Sequence, residues 1–233
     1  INDIPTRTIC ATSDDHAVDI IDQTALPHEY RTLRLNTLED AAHAIRSMQV
    51  RGAPLIGVTA AYGLAVAMRF AADDTSLSAA IAMLAATRPT AVNLNWALQR
   101  MRALLQPLAP EARTEAAWKE AGLIAEEDVV QCRRIGESGL DLLRPLIRQN
   151  KRLDVMTHCN AGWLATVDYG TALAPVYAAF DAGIDVHVWV SETRPRNQGL
   201  LTAWELKQHG VPHTVIADNA AGLLMLRGDV DAV

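Results

Sequence analysis

The spacing of hydrophobic positions predicts a small sheet followed by a helix at the start of the chain. Residues 7–11, 17–21 and 30–35 form short β-like runs separated by polar turn signals, which is typical of a small antiparallel sheet. Thr37 and Asp40 match an N-terminal capping pattern. They precede apolar residues at helical spacing, so a helix is predicted from this point.

The next hundred residues carry a helical pattern. Apolar positions recur with helical periodicity over residues 54–72, 76–86, 93–105 and 113–146. The last of these segments is long and rich in alanine, and Gly136 or Gly139 is a predicted break within it. The N-terminal part is therefore predicted to be mostly helical.

The pattern changes at Lys151. Short apolar runs at 153–157, 186–190, 213–217 and 232–233 alternate with helical segments at 169–182 and 201–209. This alternation predicts right-handed βαβ units and a parallel sheet. The predicted fold class is α/β, with a small-sheet and helical domain at 1–150 followed by the first part of a Rossmann-like domain at 151–233. Because residues 229–233 read as the start of a buried strand, we expect the natural protein to continue beyond Val233.

Charge and cysteine content exclude several classes of protein. The formal net charge is −6, and the 21 basic residues are scattered among 27 acidic ones, so the sequence predicts neither a nucleic-acid nor an anionic-membrane surface. No apolar run reaches membrane-spanning length. Because the N-terminus also lacks a charged-then-apolar leader, we expect a cytoplasmic location. The three cysteines are far apart and odd in number, which indicates reduced thiols. No cysteine or histidine spacing indicates a metal site.

Two basic turns precede predicted helices. In the first, Arg51 provides a bidentate donor and Gly52 permits close approach of a ligand, while Pro54 suits the first turn of the helix that follows. A helix N-terminus of this kind binds phosphate. The alternative is an ordinary helix connection with a solvated arginine. Arg88 lies in the second, weaker example, the turn Arg88-Pro89-Thr90.

Cys159 follows the first strand of the predicted parallel sheet. Ligands bind beyond the carboxyl ends of such strands, and Gly162 allows close approach there, which favours a functional thiol. The alternative is a cysteine that serves as a small buried hydrophobe. Because sequence neighbours on a strand point to opposite faces, we do not expect His158 to activate Cys159.

The next two strands also end in polar residues. Residues 192–199 contain a glutamate, two arginines and Gln198, and Asp218-Asn219 follows the third strand. Solvated charged loops are the alternative interpretation. Because carboxyl ends of parallel strands share one sheet edge, the pattern predicts a polar site at that edge.

Six segments resemble the methylthioribose-1-phosphate isomerase family of methionine salvage. Its superfamily also includes ribose-1,5-bisphosphate isomerase and the regulatory subunits of translation initiation factor 2B. The segments are VRGAPLIG at 50–57, RPTAVNL at 88–94, THCNAG at 157–162, GTAL at 170–173, ETRPRNQG at 192–199 and LTAWEL at 201–206.

The resemblance implies roles for six residues. Cys159 would be the catalytic thiol, and the substrate would be bound by Arg51, Gly52, Ala53, Arg88 and Gln198. The spacing between Gln198 and the LTAW segment is one residue shorter than is usual in the family. The family also has a catalytic aspartate just after the strand that begins at 231–233, so residues 1–233 alone are expected to be inactive.

The implied reaction converts 5-methylthioribose 1-phosphate to 5-methylthioribulose 1-phosphate without a cofactor. Its only implied partners are the sugar phosphate and a second copy of the chain in a homodimer. Two alternatives remain open, a ribose-1,5-bisphosphate isomerase and a non-catalytic regulatory protein of the initiation-factor type. The presence of Arg51, Arg88 and Cys159 favours an enzyme.

Overall fold

The computed structural model describes residues 6–12, 17–148 and 151–233. The chain forms two compact units. The first is Arg7–Asp128, and the second comprises Val129–Val233 together with Thr6. The units divide within a long helix, whereas the predicted domains at 1–150 and 151–233 stay a prediction. Gln149 and Asn150, beside that predicted boundary, lie outside the described residues.

The first unit begins with the predicted antiparallel sheet. Its strands are β1 (Ile9–Ala11), β2 (Val18–Ile21) and β3 (Thr32–Leu35), with β2 in the centre. The helix α1 (Leu38–Arg46) follows. The side chain of Thr37 accepts a hydrogen bond from the backbone N–H of Asp40, whose carboxylate accepts from the N–H of Thr37. The predicted capping pattern is confirmed.

Three further helices follow, and one of them is buried by its neighbours. They are α2 (Ala53–Met68), α3 (Asp74–Ala85) and α4 (Val92–Leu105), and nearly every residue of α2 is buried. Two glycines of α2 permit close contacts. A Cβ on Gly57 would lie 2.9 Å from the backbone oxygen of Asn93, and a Cβ on Gly63 would lie 2.6 Å from the Cβ of Ala41. The absence of side chains therefore brings α2 against α4 and α1.

The helix α5 (Pro110–Leu143) corrects one prediction. It runs for 34 residues without interruption, so the predicted break near Gly136 or Gly139 is wrong. These glycines instead allow close packing of α6 (Ala174–Asp181). A Cβ on Gly136 would lie 3.1 Å from the backbone oxygen of Ala174, and one on Gly139 would lie 2.2 Å from Cγ of Pro175.

The second unit contains the predicted parallel sheet. Its strands are β4 (Leu153–Thr157), β5 (Val186–Ser191) and β6 (His213–Ile216), in that order. Ala232 forms a parallel bridge to Val155, on the side of β4 away from β5. The sheet is accompanied by α6, α7 (Gly199–His209) and α8 (Ala221–Arg227). The α/β fold class is confirmed.

The helix α6 begins five residues later than predicted. Tyr169 and Gly170 have φ values of 65° and 82°, in the left-handed region, which is incompatible with a continuing right-handed helix. The chain therefore makes a turn before Ala174. Among the described residues, no helix is long and apolar enough to cross a membrane.

Two glycine-to-alanine substitutions in α5 should have opposite effects. Gly139→Ala should lower the free energy of unfolding by about 1–3 kcal/mol, because the new methyl group meets the rigid ring of Pro175. Gly122→Ala should raise it by about 0.5–1 kcal/mol, since the nearest atom lies 3.9 Å from the new Cβ and alanine favours the helix. Urea unfolding followed by circular dichroism measures both. Equal changes in the free energy of unfolding for the two variants would show that contact with Pro175 does not restrict the residue at position 139.

Candidate functional site

Cys159 lies at the carboxyl edge of the parallel sheet. It follows the end of β4 by two residues and is half-buried. Its φ is 67°, in the left-handed region, which is uncommon for a residue with a side chain. The segments after β5 and β6 reach the same edge, because the three strands are parallel. The predicted convergence of three polar strand ends is confirmed.

Two threonines fix the backbone of Cys159. Its N–H donates to Oγ1 of Thr193 at 2.7 Å, and its carbonyl oxygen accepts from Oγ1 of Thr202 at 2.8 Å. Thr193 belongs to the segment after β5, whereas Thr202 lies in the first turn of α7. No described residue forms a hydrogen bond with the sulfur of Cys159. The thiol is therefore held through its backbone while its sulfur stays available.

Asp218 organises the segment that carries Thr193. Its carboxylate accepts from the backbone N–H groups of Thr193 and Arg194, each at 2.8 Å, and from the hydroxyl of Ser191. These three donors stabilise the charged form and lower the pKa of Asp218 to about 2. Nδ1 of His158 lies 3.1 Å from Oγ of the same Ser191. His158 thus joins the network of Ser191 and Asp218.

Glu205 organises the segment that follows Cys159. Its side chain is fully buried, and its carboxylate accepts from the side-chain amide of Asn160 and from the backbone N–H of Leu164. The amide of Asn160 also donates to Oγ1 of Thr202 at 3.0 Å. A Cβ on Gly162 would lie 2.0 Å from Oε1 of Glu205, so only glycine fits there. Glu205 therefore fixes residues 160–164.

Tyr177 is buried beside Glu205. Burial and the neighbouring Glu205 carboxylate both raise the pKa of the phenol well above its ordinary value.

Gln198 precedes the first residue of α7. In the described ranges, no residue donates a hydrogen bond to its buried Oε1. Gly199 follows, and a Cβ there would lie 2.1 Å from the backbone oxygen of Ser191. This close packing places the start of α7 directly on the end of β5.

The other four predicted residues lie in the first unit. Gly52 has a φ of 92° and is the N-cap residue of α2, so Ala53 begins the helix, and Arg51 before it is buried. Arg88 lies in a turn closed by a hydrogen bond from the N–H of Ala91 to its carbonyl oxygen. This turn leads into α4, whose first turn contacts α2 at Gly57. Both basic turns therefore lead into helices that touch near their N-termini.

Most of the chain matches one known protein family. The family described as "Initiation factor 2 subunit family" matches residues 49–233. The chain belongs to this initiation factor 2 subunit family. The match includes all six residues singled out from the sequence.

Curated relatives of this family member carry the name methylthioribose-1-phosphate isomerase. One from Dechloromonas aromatica is 70% identical over 234 residues, covering 100% of this chain and 65% of its own length. One from Methylobacterium nodulans is 61% identical over 228 residues, covering 97% of this chain and 63% of its own length. The chain thus spans a little less than two thirds of these relatives.

Two solved structures share its fold. The crystal structure of 5-methylthioribose 1-phosphate isomerase from Pyrococcus horikoshii OT3 is 36% identical with a TM-score of 0.85, covering 98% of this chain and 64% of that one. The structure of translation initiation factor eIF-2B, subunit delta, from A. fulgidus is 39% identical with a TM-score of 0.83, covering 97% and 66%.

In this family member, the second unit brings together Cys159 and a network that was not predicted. The sequence pattern places Asp218 only at a polar strand end and gives no role to Thr193, Thr202 or Glu205. A signal existed for two of them. Thr202 and Glu205 lie one turn apart, on a helix face that also contains Leu201 and Leu206, which are buried. Polar residues at core-facing positions need partners.

The stabilising effect of Asp218 should disappear in acid. Because its pKa falls from an ordinary 3.8 to about 2 on folding, its contribution is complete above the ordinary value and is lost as the pH falls towards 2. Asp218→Asn should therefore lower the free energy of unfolding at about pH 6, and this deficit should shrink between about pH 4 and pH 2. Urea titrations of both proteins across this range measure the deficit. A deficit independent of pH would contradict the role of the charged carboxylate.

Proposed function

We propose that this chain carries the substrate-binding groups and catalytic thiol of a 5-methylthioribose 1-phosphate isomerase. The observation that carries the proposal is the presentation of Cys159, half-buried, at the carboxyl edge of the parallel sheet with its backbone fixed on both sides. The names of the curated relatives support the choice of substrate.

The chemistry explains why a positioned thiol is useful. The phosphate on C1 prevents the sugar ring from opening to an aldehyde spontaneously. An acid must protonate the ring oxygen as its bond to C1 breaks, while the C2 hydroxyl loses its proton and a hydrogen moves from C2 to C1. C2 is thereby oxidised and C1 reduced within one molecule, so no external oxidant or reductant is required.

We assign the hydrogen transfer to Cys159. The thiol would act by proton transfer through an enediolate or by stabilising a hydride shift in an apolar pocket. Both routes require the sulfur to lie at a fixed place beside C1 and C2. The two backbone hydrogen bonds of Cys159 support this requirement.

We assign substrate binding to five further residues, each by its own chemistry. Arg51 and Arg88 would bind the phosphate, since guanidinium groups pair with phosphate oxygens in a bidentate manner. Gly52 and Ala53 would contribute the free N–H groups of the α2 N-terminus. Gln198 would accept a hydrogen bond from a sugar hydroxyl, because its buried Oε1 receives none from the described residues.

A regulatory role is the second candidate. The similarity to an initiation factor eIF-2B subunit structure at 39% identity favours it. Against it, the sequence retains the two phosphate-binding arginines and the thiol, and the relatives named as isomerases reach 70% identity. We therefore prefer the enzyme.

We further propose that the protein is a cytoplasmic homodimer. The separated cysteines support the location, and the closed symmetry of most oligomers supports the dimer.

Full-length protein should convert 5-methylthioribose 1-phosphate to its ketose and should act poorly on ribose 1,5-bisphosphate. A second phosphate requires a further cationic site, whereas a methylthio group requires an apolar pocket. Product formation from each substrate, followed by phosphorus NMR, measures the preference. A preference for the bisphosphate would replace the substrate assignment, and no turnover of either would contradict the isomerase proposal.

Replacing the proposed catalytic thiol should abolish most activity without unfolding the protein. Cys159→Ser and Cys159→Ala should lower kcat by about 10²- to 10⁴-fold, the range expected for loss of a proton-transfer group. Cys10→Ser is the matched control, because Cys10 is an exposed thiol. Initial rates and thermal melting are measured for each. Wild-type turnover by Cys159→Ala would remove the thiol from the mechanism.

A further inference from the structure

Asp218 connects segments that follow different strands of the parallel sheet. It follows β6, yet its carboxylate binds groups of the segment after β5, and that segment binds the residue that follows β4. One carboxylate thus connects the ends of all three parallel strands. Its three donors are Ser191, Thr193 and Arg194, all from this chain.

We propose that Asp218 is a positioning residue for Cys159 and acts on it through Thr193. The proposal rests on the proposed function for its consequence in catalysis. It assigns no contact with substrate to Asp218, because the carboxylate already accepts three hydrogen bonds within the protein.

The path from Asp218 to the thiol has two hydrogen bonds. The carboxylate accepts from the N–H of Thr193 at 2.8 Å, and Oγ1 of Thr193 accepts from the N–H of Cys159 at 2.7 Å. The hydroxyl of Thr193 donates in turn to the carbonyl oxygen of Ser191 at 3.0 Å, which fixes its direction. Every polar group on this path therefore has a defined role.

Backbone conformation shows why the path needs an anchor. Thr193 and Cys159 have φ values of 60° and 67°, and left-handed conformation is unfavourable for residues with side chains, especially β-branched ones. A segment of this kind persists only where its surroundings hold it. Asp218 binds the backbone of Thr193 and of the next residue, Arg194, which holds the turn in this conformation.

A second path leads from Asp218 to His158 through the hydroxyl of Ser191. It ends on the side chain of His158 and not on the backbone of Cys159. Removing the Ser191 hydroxyl leaves the bonds to Thr193 and Arg194 in place. The two paths can therefore be separated by substitution.

The test measures the reactivity of Cys159 directly in full-length protein. Iodoacetamide labels the thiols, and mass spectrometry follows the peptide of Cys159, with exposed Cys10 as the internal reference. Asp218→Asn should label Cys159 at least about threefold faster, because the loosened segment exposes a half-buried thiol. In the turnover assay, kcat should fall about 10- to 100-fold while KM changes less than about threefold, since misplacement of a reacting group affects the chemical step.

Thr193→Val removes the hydroxyl of residue 193 but keeps the shape of its side chain, and it leaves Asp218 unchanged. It should reproduce the faster labelling of Cys159. The double variant with Asp218→Asn and Thr193→Val should label Cys159 no faster than either single variant, because both substitutions remove the same path. Ser191→Ala should change the labelling less than Thr193→Val does. Asp185→Asn, an exposed carboxylate before β5, is the matched control and should label like the wild type.

Three results would overturn the proposal. These are labelling of Cys159 in Asp218→Asn within twofold of the wild type, multiplicative effects in the double variant, or a larger effect of Ser191→Ala than of Thr193→Val. If Asp218→Asn does not fold, Thr193→Val decides alone by its labelling rate and kcat. The labelling needs no substrate, so an absence of isomerase activity in the wild type would contradict the proposed function and leave this test intact.

Discussion

The left-handed backbone at Cys159 is the constraint on which the arrangement of the second unit depends. Such a conformation costs about 1–3 kcal/mol at a residue with a side chain. Its two hydrogen bonds, to Thr193 and Thr202, contribute a net stabilisation of about 0.5–1.5 kcal/mol each, which is of the same size. Together the two bonds contribute about 1–3 kcal/mol, which matches this cost, so both threonines help to hold the thiol in place. Each threonine is in turn connected to a carboxylate.

The two carboxylates, those of Glu205 and Asp218, lie in different environments. Glu205 is fully buried and binds neutral donors, so the hydrogen bonds from Asn160 and Leu164 must compensate for its desolvation. These two hydrogen bonds hold the segment after Cys159 against Glu205. Asp218 is partly exposed and keeps its charge through three donors, as its lowered pKa shows. A buried carboxylate thus holds the segment that follows Cys159, and a partly exposed one holds the segment that carries Thr193.

The sequence allowed the prediction of elements whose signal is local. The capping pattern of Thr37 and Asp40, the alternation of apolar runs after Lys151 and the polar ends of three strands each depend on near neighbours, and the structure confirms them. The pattern predicts a helix break near Gly136 or Gly139, whereas the environment of Gly139 is set by Pro175, a residue distant in sequence. An isolated glycine in a helical pattern indicates either a break or a close contact, and only the tertiary structure distinguishes them.

The candidate site was predictable to a similar extent and for the same reason. Cys159 and Gln198 lie in recognisable segments. Thr193, in the segment after β5, and Thr202, on α7, matter only because the fold brings them to the backbone of Cys159. Hydrogen bonds between residues more than thirty positions apart leave no periodic pattern. A close approach does leave a signal in the sequence, because glycine is the only residue type that fits at position 162 against Glu205. In this fold, the glycine after the thiol is therefore a sequence marker of the buried carboxylate that holds it.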